Sequence, residues 1–139
     1  MKNIYEIFDE FEEAETRDER IYVLRSHDTF ALKSVLQGTY SPHVQFTIDN
    51  LPNYKASDSP PGLAYSSLQL ELSRAYLFEA NNPRVPPGLT QKRKEEILIQ
   101  ILEVLEKREA EVFKNMILKK QNVKGLDAAL VLEAFPGLW

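Results

Sequence analysis

Ile4, Ile7, Phe8 and Phe11 recur at i, i+3, i+4 and i+7, while Glu6, Asp9, Glu10, Glu12 and Glu13 fill the positions between them. This spacing predicts an amphipathic helix over about 2–13. Thr16 followed by Glu19 has the form of a capping box, and Ile21, Tyr22 and Leu24 give a short apolar face, so a second helix is expected over about 17–26. Asp28 is expected to cap a third, in which Ala31, Leu32, Val35 and Leu36 keep helical spacing until Gly38 ends it. Ser66 or Ser67 opens a fourth, through about Ala80, with Leu68, Leu72, Ala75, Tyr76 and Phe78 turned inward. Thr90 caps the most regular helix, striped by Ile97, Leu98, Ile101, Leu102 and Leu105, on which Glu103 and Lys107 form a favourable i, i+4 pair. Ala110, Phe113, Met116 and Ile117 mark a helix over about 109–120, and Leu130, Val131 and Ala134 mark a last short one from Asp127.

Between Thr39 and Gly62 the pattern breaks. Pro42, Pro52, Pro60, Pro61 and Gly62 forbid a long helix, whereas Val44, Phe46 and Ile48 alternate with polar residues as a short extended piece does. A connection of this length is expected to be ordered, anchored by Tyr40, Phe46, Ile48 and Leu51. The proline-rich stretch 81–89 reads as a stiff surface linker. The prediction is one all-α domain over 1–139, a compact bundle of six or seven short helices with one long ordered connection.

Composition removes whole classes of chemistry. With no Cys among 139 residues, disulfides, thiolate metal sites and cysteine nucleophiles are excluded. His27 and His43 are the only histidines and stand in no metal-ligand spacing, so no metal is expected. Ser41 near His43 lacks a nucleophile elbow, the five glycines form no phosphate loop, and the carboxylates of the first helices read as a solvated face. No catalytic residue or cofactor is expected, and the chain is read as a non-enzyme. No apolar run is long enough to span a membrane, and the start lacks a signal-peptide pattern, so a cytoplasmic location without membrane contact is expected.

The net charge of -4 conceals an acidic beginning and a basic cluster near the end. Lys119, Lys120 and Lys124 lie with Gly125 where one predicted helix ends and another begins, a place where free backbone N–H groups and ammonium groups suit a phosphate. Asp127 offers the opposite reading, since as an N-cap it would take those N–H groups itself. Lys92, Arg93 and Lys94 form a second cluster that Glu95 and Glu96 largely neutralise.

The order of features resembles the N-terminal, all-helical DNA-binding domain of the ATP-dependent DNA ligases of T-even-type bacteriophages. The likeness runs from the opening helix at Ile4 to Phe11, through Thr39-Tyr40-Ser41 with Gln45-Phe46, Ile48 and Pro52, to Ala134-Phe135-Pro136-Gly137-Leu138. The resemblance implies a freestanding helical module, phage-encoded and placed in the host cytoplasm, acting in DNA replication or repair. It does not imply ligation, because no Lys-x-Asp-Gly lysine is present.

Two functions of different classes follow. One is weak binding of double-stranded DNA through backbone phosphates without sequence preference, carried by Lys119, Lys120, Lys124 and Gly125 together with Tyr40, Ser41 and His43. The other is a protein-interaction module in which the acidic first helices or the aromatic end, Leu138 and Trp139, dock a phage or host replication or transcription protein. The resemblance supports a sliding clamp as the kind of partner to expect, and a polymerase is the other candidate.

Overall fold

The computed structural model describes residues 2–48 and 50–139; Met1, and Asp49 within the long connection, lie outside the described residues. Short polar side chains fix where its helices start. Asn3 and Glu6 close a capping box on α1 (Ile4–Glu13), and Thr16 accepts the Glu19 N–H at the head of α2 (Arg17–Ser26). α3 (Phe30–Tyr40) starts from Thr29 rather than Asp28: the Thr29 hydroxyl accepts the Leu32 N–H, while Asp28 pairs with Lys33 at 2.8 Å. Ser67 caps α4 (Leu68–Glu71), which tightens at once into a 3-10 helix, Leu72–Phe78. Thr90 heads α5 (Gln91–Val104), Glu106 heads α6 (Lys107–Ile117) and Asp127 heads α7 (Ala128–Ala134). The described residues form an all-α bundle of seven α-helices and one 3-10 helix, with no strand among them.

Further expectations change. Gly38 does not end α3, which continues to Tyr40; a Cβ there would lie 2.7 Å from the Met116 sulfur, so glycine allows α3 and α6 to pack closely. The single helix expected through Ala80 is a short α-turn followed by 3-10 helix. With about three residues per turn the 3.6-residue stripe cannot hold one face, so Leu68 is buried as expected in the α-turn, whereas in the 3-10 segment Leu72, Ala75 and Tyr76 end half-buried and Phe78 alone is buried. Glu103 and Lys107 are not a pair on one helix, because the chain breaks at Leu105 and Glu103 accepts the Lys55 N–H instead.

α6 sits at the centre, packed against α3, α5 and α1, while α7 closes the bundle against α2. Phe78 meets Phe113 edge to face, with ring centroids 6.4 Å apart. The connection is ordered as expected where it is described. Phe46 and Glu79 form an isolated antiparallel bridge, with Thr47 N–H donating to Phe78 and Ala80 N–H to Gln45. Ile48 is buried, and Tyr40, Phe46 and Leu51 are partly buried against the same core. No helix among the described residues is long and apolar enough to cross a membrane.

Candidate functional site

The basic turn between α6 and α7 is built from three left-handed residues, Lys119, Asn122 and Gly125. Their reversals turn the chain back under the end of α3. Lys119 points inward: its ammonium donates to the carbonyls of Gly38, Ser41 and Val44 at 2.8, 2.8 and 2.7 Å and lies 5.8 Å from the centre of the Phe46 ring. A lysine has three N–H donors and all three are engaged, so Lys119 caps the carbonyl end of α3 and offers no donor to a phosphate. Burial pulls its pKa below the ordinary lysine value. Gln121, also buried, donates to Thr39 and to the Val112 carbonyl, completing a polar knot with Thr39 and Ser41.

The other predicted phosphate contacts are dispersed. Ser41 is fully buried, its hydroxyl accepting the His43 N–H, and only His43 of that pair reaches the surface. The Tyr40 hydroxyl donates toward the Leu126 carbonyl at 3.5 Å, and burial, helped by the nearby Asp127 carboxylate, pushes its pKa up to about 12. Gly125 is exposed on one side and roofed by Arg20 on the other, where a Cβ would meet the guanidinium at 2.8 Å. Lys120 and Lys124 are exposed. Asp127 accepts the Leu130 N–H and Glu12 accepts the Lys124 N–H, so carboxylates occupy both places where a phosphate would have met backbone donors. The structure therefore brings together Lys119, Ser41 and Tyr40 as internal scaffolding and leaves Lys120, Lys124 and His43 as separate surface groups.

The arginines are engaged too. Arg17 pairs with Glu133, Arg74 with Glu71, Arg93 with Glu96 and Arg108 with Asp9, while Arg25 donates to the carbonyls ending α7. Arg20 lies over Phe11 and Arg84 over Tyr76. At the chain's end, Phe135 is buried and Leu138 and Trp139 are half-buried against the core.

What sequence reasoning missed is apolar. Phe30, Leu70 and Tyr65 are 81%, 66% and 96% exposed. Phe30 borders a groove of about 460 Å³ whose floor is Gly38, Phe46, Leu72 and Met116, between α3 and the 3-10 helix. Gln69 lines this groove and also the next depression along, which holds Thr29, Ser67 and Leu68; Ser67 and Glu109 in turn line a third, holding Leu70 and Tyr65. Shared walls make these one continuous face. The Glu109 carboxylate accepts the Leu68 N–H there, and burial pushes its pKa up. A signal existed: Phe30, Tyr65 and Leu70 are among the large apolar residues that no helical stripe uses.

The chain belongs to a family of unknown function (DUF6433), whose pattern it matches over residues 7–124. No curated protein matches it.

Proposed function

We propose that the protein is a docking module, acting through contact with another protein rather than through chemistry of its own. The observation that carries this reading is the continuous face holding Phe30, Leu70 and Tyr65, since large exposed apolar groups around a groove mark interaction sites. The engagement of Lys119 within the fold supports it by removing one of the three lysines from the competing site. Weak, sequence-independent contact with duplex DNA is the second reading, favoured by the exposure of Lys120 and Lys124. A sliding clamp belongs among the candidate partners through the ligase-domain resemblance.

A photo-crosslinking amino acid placed at position 30 or 70, with position 22 as control, tests this in cells making the protein. Protein adducts at 30 and 70 but not at 22 are expected. Tyr22 is equally open at 72% exposed but lies in another cleft, beside Asp18, Arg25 and Glu133. Adducts to nucleic acid, or equal protein adducts at all three positions, would overturn the reading.

A further inference from the structure

We infer that the occupant of this face is a second copy of the chain, the two copies related by a two-fold axis with Phe30 of each seated in the groove of the other. This rests on the reading of the face as a docking surface. A two-fold interface uses one patch twice, so the patch must be complementary to itself. Here a projecting ring and a concave apolar floor stand side by side. The groove, at about 460 Å³, has ample room for a phenyl ring, since a cavity of ~150 Å³ takes up benzene.

Charge points the same way. Two copies of net charge -4 repel, and they can approach only through a region where charge is balanced. The charged residues that line this face are matched in number, Lys2 and Arg84 against Glu79 and Glu109. The acidic run Glu12, Glu13, Glu15, Asp18 and Glu19 begins at the other end of α1, about 15 Å away along a ten-residue helix.

The area is adequate as well. A stable interface covers ~800 Å² per partner, about a tenth of the 7992 Å² surface. Phe30 and Tyr65, each able to bury ~150–250 Å², supply nearly half of that. A heterologous partner would need no such coincidence of knob, hole and neutrality on one patch.

Sedimentation equilibrium of the full chain tests the inference. The wild type is expected to move toward twice its 16.0 kDa mass as concentration rises. Phe30→Asp should weaken association at least ~100-fold, as loss of a central aromatic anchor does, while Tyr22→Asp leaves it unchanged. Phe30 is exposed, so its variant folds, and far-UV circular dichroism checks this. As a second readout, Phe30→Trp in a Trp139→Phe background should shift its emission to the blue as concentration rises. A wild type that stays monomeric at about 100 µM, or a dimer that survives Phe30→Asp, overturns the inference. Crosslinks from position 30 to a different protein would then preserve the docking reading, and crosslinks to no protein would end both.

Discussion

The two ends of α3 differ in the sense opposite to their composition. Its C-terminal end is polar, with Thr39, Ser41, Lys119 and Gln121 gathered there, and it is the closed end: three of these are buried and the lysine is bonded to three carbonyls. Its N-terminal end carries Phe30, a ring that could have joined the core and instead stands in solvent. Polar groups at the first end satisfy backbone carbonyls held in a buried or half-buried place, which a lysine does well and an apolar residue cannot do at all. Nothing at the second end requires Phe30 for the fold. A lysine is therefore weak grounds for a binding site until its donors have been accounted for, and an exposed phenylalanine is stronger grounds than its residue type suggests.

The contrast breaks first at Lys119. Lys119→Met keeps most of the side-chain volume but strands the carbonyls of Gly38, Ser41 and Val44, and should cost about 3 kcal/mol, given ~1.5–3 kcal/mol for a hydrogen bond to a charged group. Lys120→Met, one residue on and exposed, should change stability by less than ~0.5 kcal/mol. Urea denaturation midpoints of the two variants measure the difference, and equal midpoints would refute the capping role.

Tyr40 sharpens the same contrast through pH. Its folded pKa is pushed up to about 12 by burial and by Asp127, against an ordinary value of 10.0. The raised value means the native state keeps a proton that the unfolded chain loses. Its contribution is fully present below pH 10 and is lost as pH rises toward 12. Each pKa unit corresponds to ~1.4 kcal/mol, and partial exposure reduces the total to about 2 kcal/mol. Tyr5 and Tyr54 are raised by burial as well, so the assignment requires the variant: Tyr40→Phe should lose markedly less stability than wild type between pH 10 and 12 in urea titrations.

How far the fold could be read from the sequence depended on whether local spacing decided the outcome. α1 and α7 follow from their apolar stripes and caps, α2 follows from its cap although Tyr22 faces solvent and Val23 is buried in its place, and the anchors Tyr40, Phe46, Ile48 and Leu51 do pack on the core, because burial there is set by residue type within a chain that must turn back. The tightening after Leu72 was not legible, since it accompanies the pairing of residues 45–47 with 78–80, a contact between distant segments. The direction of Lys119 was hidden for a related reason. Its left-handed backbone at φ 62° aims the side chain under α3, and no short pattern specifies that for a lysine. The apolar face was visible only as a remainder, in residues that no stripe used.

Gly38 lies between the two ends and gives a smaller effect. Gly38→Ala would gain ~1 kcal/mol of helix propensity, but its Cβ would lie 2.7 Å from the Met116 sulfur and 2.8 Å from its Cγ. Overpacking of this kind costs ~1–3 kcal/mol, leaving a net loss of about 1 kcal/mol. In a Met116→Ala background both clashing atoms are gone, and the same substitution should become stabilising. A double-mutant cycle by thermal or urea unfolding reads the coupling directly, and additivity would show that the α3–α6 approach has slack.

The smallest expected effect is at Phe30, and it completes the test of the contrast. Phe30 occupies the first turn of α3, where Thr29 already caps the helix through the Leu32 N–H, and its ring is 81% exposed. Phe30→Ser removes little buried surface and leaves the cap in place, so stability should stay within ~0.5 kcal/mol of wild type. The comparison belongs at low micromolar concentration, because a ring that docks on a second copy would add stability in proportion to the logarithm of concentration. At that dilution a loss above ~1 kcal/mol would mean that the ring holds the fold, making the two ends of α3 alike. No loss when dilute, together with a wild-type melting temperature that rises with concentration while that of Phe30→Ser does not, is the result that assigns the ring to association.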